Sequence, residues 1–101
     1  MTIEQRLHDG SRAREVLENE QFTASFEAIE KELIEAWKTS PQRDVEGRER
    51  IHQYLTLLGK VKMHLISTLE SGQLAELEVR HKQSLYDKAK DGLTSWAESW
   101  Q

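Results

Sequence analysis

The stretch Phe22–Trp37, FTASFEAIEKELIEAW, decides the fold. Its large apolar side chains recur every three or four residues, the spacing that places side chains on one face of an α-helix. Polar residues, most of them acidic, lie between them and indicate a solvated face. The pattern therefore predicts an amphipathic helix over residues 20–38. The apolar stripe consists of Phe22, Phe26, Ile29, Leu33 and Trp37.

A second apolar helix follows after a short turn. Pro41 disfavours the helical conformation in the residue before it, and Asp44 is a suitable N-cap for the next helix. That helix is predicted from Val45 to about Ser71, where Gly72 in a left-handed conformation would close it. A connection this short predicts that the two helices pack antiparallel. The second stripe consists of Ile51, Tyr54, Leu58, Val61, Leu65 and Leu69.

Weaker helical segments flank this hairpin. Residues 1–19 have few apolar positions and are interrupted at His8–Ser11, so we expect a loosely packed N-terminal segment. A further helix is predicted from Gln73 to Lys90 and should end or bend at Asp91-Gly92. The tail after it carries an apolar face made of Leu93, Trp96 and Trp100.

The whole chain, residues 1–101, is therefore expected to be a single all-α domain. It comprises the N-terminal segment at 1–19, an antiparallel helical hairpin at 20–71, and a C-terminal helix with a tryptophan tail at 73–101. Hydrophobic residues make up 37% of the chain and charged residues 32%, which allows only a narrow core. In a thin bundle the apolar stripes would stay partly exposed to water unless another chain packed against them. We therefore expect a small bundle that self-associates.

The composition indicates in which compartment the protein acts and which classes of partner it binds. The chain lacks cysteine, which excludes disulfides and thiolate metal sites and favours a reducing cytoplasm. No apolar run approaches the length of about 20 residues that a membrane helix requires, and no secretion signal is evident. The formal net charge of −4 disfavours nucleic-acid binding, which normally uses a basic face.

The sequence lacks the patterns of enzymes and metalloproteins. It has no Gly-x-Ser-x-Gly turn and no Gly-rich phosphate loop, and its four histidines are widely spaced. Glu78-Val-Arg-His81 is a Glu-x-x-His motif, but a di-iron bundle site needs two such motifs together with two further inward glutamates. We therefore expect a non-enzymatic protein without a cofactor or metal.

Two groups of residues are candidates for binding. Tryptophan is enriched at interface hot spots, so Leu93, Trp96 and Trp100 either dock a partner or fold back over the core of their own chain. The second group is a possible basic patch, although interleaved acidic residues cancel much of its field. It comprises Arg43, Arg48, Arg50, Lys60 and Lys62.

The block Trp37–Glu49, WKTSPQRDVEGRE, with Leu58-Gly-Lys-Val61 and Gly72–Ala75 after it, resembles small uncharacterised proteins of tailed bacteriophages and prophages. The resemblance extends from Phe22 to Ala75. It implies a viral origin and action in the virion or in the cytoplasm of the infected bacterium. Because that family has no assigned activity, it supplies no site residues.

Taken with the lack of catalytic motifs, the resemblance leads us to expect a phage-type accessory protein that acts by protein–protein contact in virion assembly or DNA packaging. One alternative is an inhibitor that binds a host defence or transcription protein. A second alternative is a nucleic-acid-binding packaging subunit, which the net charge disfavours. Possible partners are a second copy of the chain, a phage structural protein or a host protein.

Overall fold

The computed structural model describes residues 1–99 as three α-helices: α1 (Ile3–Glu18), α2 (Glu20–Thr39) and α3 (Val45–Ser99). No strand occurs within this range, which confirms the all-α prediction. The side chain of Arg6 contacts Ser71 and Glu78, and Trp37 contacts Arg48. Thus α1 and α2 lie end to end along α3 and both run antiparallel to it.

The shape is a rod. Its principal dimensions are 88 × 24 × 19 Å, and its radius of gyration is 24.0 Å. A compact domain of this length has a radius of gyration of about 13 Å. The all-α chain is therefore elongated, and the prediction that its helices form a small bundle was wrong. The reason is that α3 is one helix of 55 residues, where the sequence predicted two helices that could fold back on each other.

Side-chain caps fix where the helices begin. At α1, the Gln5 backbone N–H donates to Thr2 Oγ1 over 3.1 Å, and the Thr2 N–H donates back to Gln5 Oε1 over 3.2 Å. Asn19 Oδ1 accepts the Phe22 N–H over 2.8 Å and starts α2. Asp44 caps α3 through the Gly47 N–H, as predicted. Each cap satisfies a backbone donor that the first helical turn leaves without an intrahelical acceptor.

Three predicted interruptions are wrong. Helix α1 continues through His8–Ser11, and α3 continues through both Ser71-Gly72 and Asp91-Gly92. No residue in the described part of the chain has a positive φ, so Gly72 does not adopt the left-handed conformation expected of a C-cap. Glycine in a helix interior costs about 1 kcal/mol relative to alanine. At Gly72 the structure shows why a glycine is present nevertheless.

Gly10 of α1 and Gly72 of α3 lie against each other where the two helices cross. A Cβ built on Gly72 would lie 2.8 Å from the Cα of Gly10, and one built on Gly10 would lie 2.7 Å from the Cα of Gly72. Ala13 and Ala75 are also buried at this crossing, with 4% and 0% exposure. The N-terminal segment, expected to be loosely packed, thus contains the tightest helix contact described.

The predicted apolar stripes of α2 and α3 line a common groove, but they form a seam and not an enclosed core. Phe22, Phe26 and Leu33 are half-buried, as are Ile51 and Leu58 on α3. The rings of Phe22 and Phe26 contact each other at an interplanar angle of 38°, with centroids 5.2 Å apart. Among the described residues, no side chain larger than that of alanine is fully buried. Two helices alone leave the outer side of each apolar residue in water.

The glycine contact can be tested with a matched pair of substitutions. Gly72→Ala places a methyl group against the backbone of α1, whereas nothing lies within 4 Å of a Cβ on Gly59. We expect Gly59→Ala to raise the free energy of unfolding by about 1 kcal/mol through helix propensity. Gly72→Ala should be less stable than Gly59→Ala by about 1–3 kcal/mol because of overpacking. Urea unfolding followed by circular dichroism measures the free energy of unfolding of both variants. Equal changes in the two variants would contradict the close contact between Gly10 and Gly72.

Candidate interaction surface

Helix α3 extends well beyond the helices that cover it. Because Gly10 and Gly72 face each other and the helices are antiparallel, Ile3, seven residues before Gly10, lies level with Val79, seven residues after Gly72. Residues 80–99, which we call the extension, continue for about 30 Å past the start of α1. Every residue of the extension is exposed.

An apolar residue recurs at every seventh position of α3, and we call this row the heptad stripe. The residues of the stripe are Ile51, Leu58, Leu65, Gly72, Val79, Tyr86 and Leu93. A seven-residue apolar repeat is typical of helices that pair side by side as coiled coils. From Ile51 to Gly72 the stripe is buried or half-buried against α1 and α2. Tyr86 and Leu93 continue it with 64% and 68% exposure.

Two of the positions that flank the stripe in the extension, each three residues after a stripe residue, are also apolar. Ala89 and Trp96 each follow a stripe residue by three positions, so they lie on the same side of the helix as Tyr86 and Leu93. Trp96 is 62% exposed. The four side chains form an apolar surface with no other helix of the described chain beside it.

The structure describes two of the three residues that were predicted to bind a partner. Leu93 and Trp96 are both on the extension, where most of each side chain is exposed. They lie beyond the seam with α1 and α2, so in this structure they do not cover the core of their own chain. Trp100 lies outside the described residues. Sequence reasoning missed Tyr86, although the seven-residue spacing identifies it.

A second apolar surface lies in the groove between α2 and α3. Leu57 and Tyr54 are the most exposed of its members, at 61% and 51%. Both α2 and α3 contribute side chains to this groove. It is lined by Ile29, Leu33, Tyr54, Leu57, Leu58 and Val61.

The five residues of the possible basic patch do not share a face. The Arg48 guanidinium lies over the Trp37 ring, 4.1 Å from its centroid, and donates to Ser40 Oγ over 2.9 Å. It therefore joins the end of α2 to the start of α3. Arg50 is two residues further along, which places it about 200° around the helix.

The other basic positions are equally dispersed. Lys62 lines a groove with Phe22 and Phe26 on the side of α3 that faces α2. Lys60, two residues earlier, is on the opposite side, and Arg43 lies in the turn between the helices. Such an arrangement does not concentrate positive charge on one surface.

Arg6 forms a polar contact that the sequence did not reveal. Its guanidinium donates to Ser71 Oγ over 3.0 Å and to the Ser71 carbonyl over 3.2 Å, and it pairs with Glu78 over 3.2 Å. No local pattern could have linked residues 72 positions apart. The pairing engages the acid of the Glu-x-x-His motif, so Glu78 joins α1 to α3.

The histidine and acidic side chains are dispersed over the described residues. Across residues 1–99, no three histidine, cysteine or acidic side chains are grouped closely enough to hold a metal ion. Within the same range, no helix is long and apolar enough to cross a membrane.

Comparisons with protein-family models, with curated proteins and with solved structures found no match to the chain.

The position of Arg48 leads to a stability prediction. Arg48→Met removes the contact with Trp37 and the hydrogen bond to Ser40, so it should lower the free energy of unfolding by about 1–2 kcal/mol. Arg50→Met makes the same chemical change on the opposite face and should stay within about 0.5 kcal/mol of the original chain. Denaturant unfolding of both variants is the measurement. Equal decreases in the free energy of unfolding for the two variants would mean that Arg48 contributes no more to stability than an ordinary surface cation.

Proposed function

We propose that this chain is a non-enzymatic interaction protein, and that its extension is the element that binds another protein. The observation that carries the proposal is the exposure of Tyr86 and Leu93, which continue an apolar stripe that is buried or half-buried from Ile51 to Gly72. Burial of each side chain in a contact would contribute about 1.5–3 kcal/mol. The repeat fits a helix as the binding partner, because heptad spacing matches helix to helix.

The remaining surface supports contact as the mode of action. The accessible surface of the chain is 8473 Å². A compact monomer of 11.8 kDa exposes about 5,900 Å². The difference of about 2,600 Å² exceeds the roughly 800 Å² that each partner contributes to a standard interface. An extended rod of this kind has the area for a stable contact without rearrangement of its helices.

The support for virion assembly or DNA packaging as the setting of this contact is the phage-type resemblance of Phe22–Ala75. Inhibition of a host protein would use the same surface with a different partner. Nucleic-acid binding would instead rely on the basic residues of the extension, which are interspersed with Asp87, Asp91 and Glu98. They are Arg80, Lys82, Lys88 and Lys90.

Site-specific photo-crosslinking tests the proposal in the cells that naturally make the protein. A photoreactive phenylalanine analogue replaces Tyr86 or Leu93 in separate variants. Matched controls carry it at Ser84 or Ser95, which are exposed and about 200° around the helix from the two test positions. We expect protein adducts at positions 86 and 93 and few at 84 and 95, because only the apolar face would be covered.

The identity of the adduct separates the candidate functions. Adducts with the chain itself or with a virion protein would support assembly, and adducts with one host protein would support inhibition. Adducts with nucleic acid at any of these positions would favour the packaging-subunit alternative. Equal labelling at all four positions, or none, would contradict the extension as a binding element.

A further inference from the structure

From the heptad stripe, we propose that the partner of the extension is a second copy of this chain, paired antiparallel through residues 80–99. This inference rests on the proposed function and names its partner. Three features carry it: the continuity of the stripe with the seam inside the chain, the position of α1 on that same face, and the composition of the extension. Each limits which partner fits and in which direction it runs.

The extension presents the same surface that already pairs with a helix in the described structure. Leu65 and Gly72 of the heptad stripe pack against α1, which runs antiparallel to α3. The stripe continues to Tyr86 and Leu93 without a change of spacing. The surface beyond Val79 thus fits a helix in line with α1. The extension of a second copy carries this repeat and has the required length.

The position of α1 determines the direction. A parallel partner lying along the extension would continue toward the N-terminal half of α3 on the face that α1 occupies from Ile3 onward. An antiparallel partner runs in the same direction as α1. Its own helices α1 and α2 then lie at the opposite end of the dimer from α1 and α2 of the first copy. The antiparallel partner therefore does not overlap with α1, as a parallel partner would. Its C-terminal end points toward the N-terminal end of α1, which also aligns the helix dipoles head to tail.

Packing of the apolar layers gives a register. In an antiparallel pair, each stripe residue faces a flanking residue of the other copy. Tyr86 then lies level with Trp96 of the second copy, and Ala89 lies level with Leu93. These layers repeat on the other side of the two-fold axis, because an isologous contact uses each residue pair twice. All of them lie beyond the level of Val79, where α1 begins.

Size and charge of the contacting residues are compatible with this pairing. Small Ala89 opposite larger Leu93 lets the two helices approach closely near the axis. The extension carries four basic and three acidic residues, so two copies meet with little net repulsion. The whole chain exposes about 2,600 Å² more than a compact monomer of its mass, which exceeds the roughly 800 Å² that each partner contributes to a standard interface.

Sedimentation equilibrium of the purified full chain over a range of concentrations tests the dimer. We expect a reversible equilibrium between one and two chain masses. Leu93→Glu inserts a charge into two apolar layers of each dimer and should raise the dissociation constant at least about a hundredfold. Ser95→Glu adds the same charge on the opposite face and should leave it within about threefold. Circular dichroism checks that each variant remains helical.

The absence of cysteine allows a test of direction by disulfide crosslinking. Gln83 and Ala97 each follow a stripe residue by four positions, and the antiparallel register places Gln83 of one copy within about 3 Å, along the axis, of Ala97 of the other. An equimolar mixture of Gln83→Cys and Ala97→Cys chains with tags of different length should form the mixed disulfide. That disulfide should form at least about tenfold faster than either self-disulfide.

The outcomes separate this inference from the proposed function. A chain that stays monomeric at every concentration, or a dimer that Leu93→Glu leaves unchanged, would overturn the second-copy inference. Fast self-disulfides without the mixed product would overturn the antiparallel direction. If photo-crosslinks at positions 86 and 93 then identify a different protein, the proposed function stands and this inference fails. If those positions give no adduct and the chain is monomeric, both fail.

Discussion

The close contact between Gly10 and Gly72 sets the geometry on which the rest of the structure depends. Neither glycine carries a Cβ, so the backbones of α1 and α3 meet at a distance that any side chain would prevent. That contact fixes the register of α1 along α3 and hence the level at which α1 begins. Ala13, Ala75 and the Arg6 contacts with Ser71 and Glu78 hold the same register. The length of uncovered helix follows directly from it.

The sequence predicts the helices better than their ends. Apolar spacing identifies α2 and the first half of α3, and the caps at Asn19 and Asp44 are evident from residue type. Gly72 misled because Ser-Gly after an apolar run is typical of a C-cap, whereas here the glycine serves a contact with a residue 62 positions earlier. Local patterns cannot distinguish these two uses of glycine. The same difficulty applies to Arg48, which resembles a surface cation in sequence and packs on Trp37 in the structure.

The candidate surface was found in part from sequence. Leu93 and Trp96 were predicted to bind a partner because tryptophan is enriched at interface hot spots. Their relation to the rest of α3 depends on the continuity of that helix. Because α3 is one continuous helix, Tyr86 and Leu93 belong to the same heptad stripe that packs on α1 and α2 further along the helix. Most helix stability in proteins comes from packing of an apolar face. The extension has such a face, and neither α1 nor α2 covers it in the described structure. This mismatch is the physical basis for the partner that we propose.

Hydrogen exchange of the backbone amides as a function of protein concentration tests this claim most directly. Exchange slows where a helix is packed and protected from local opening. If extensions pair, amides in residues 80–99 should exchange more slowly as concentration rises through the dimer equilibrium, while those at the Gly10–Gly72 crossing stay unchanged. Extension amides that exchange at the same rate at every concentration would contradict pairing between copies of the chain.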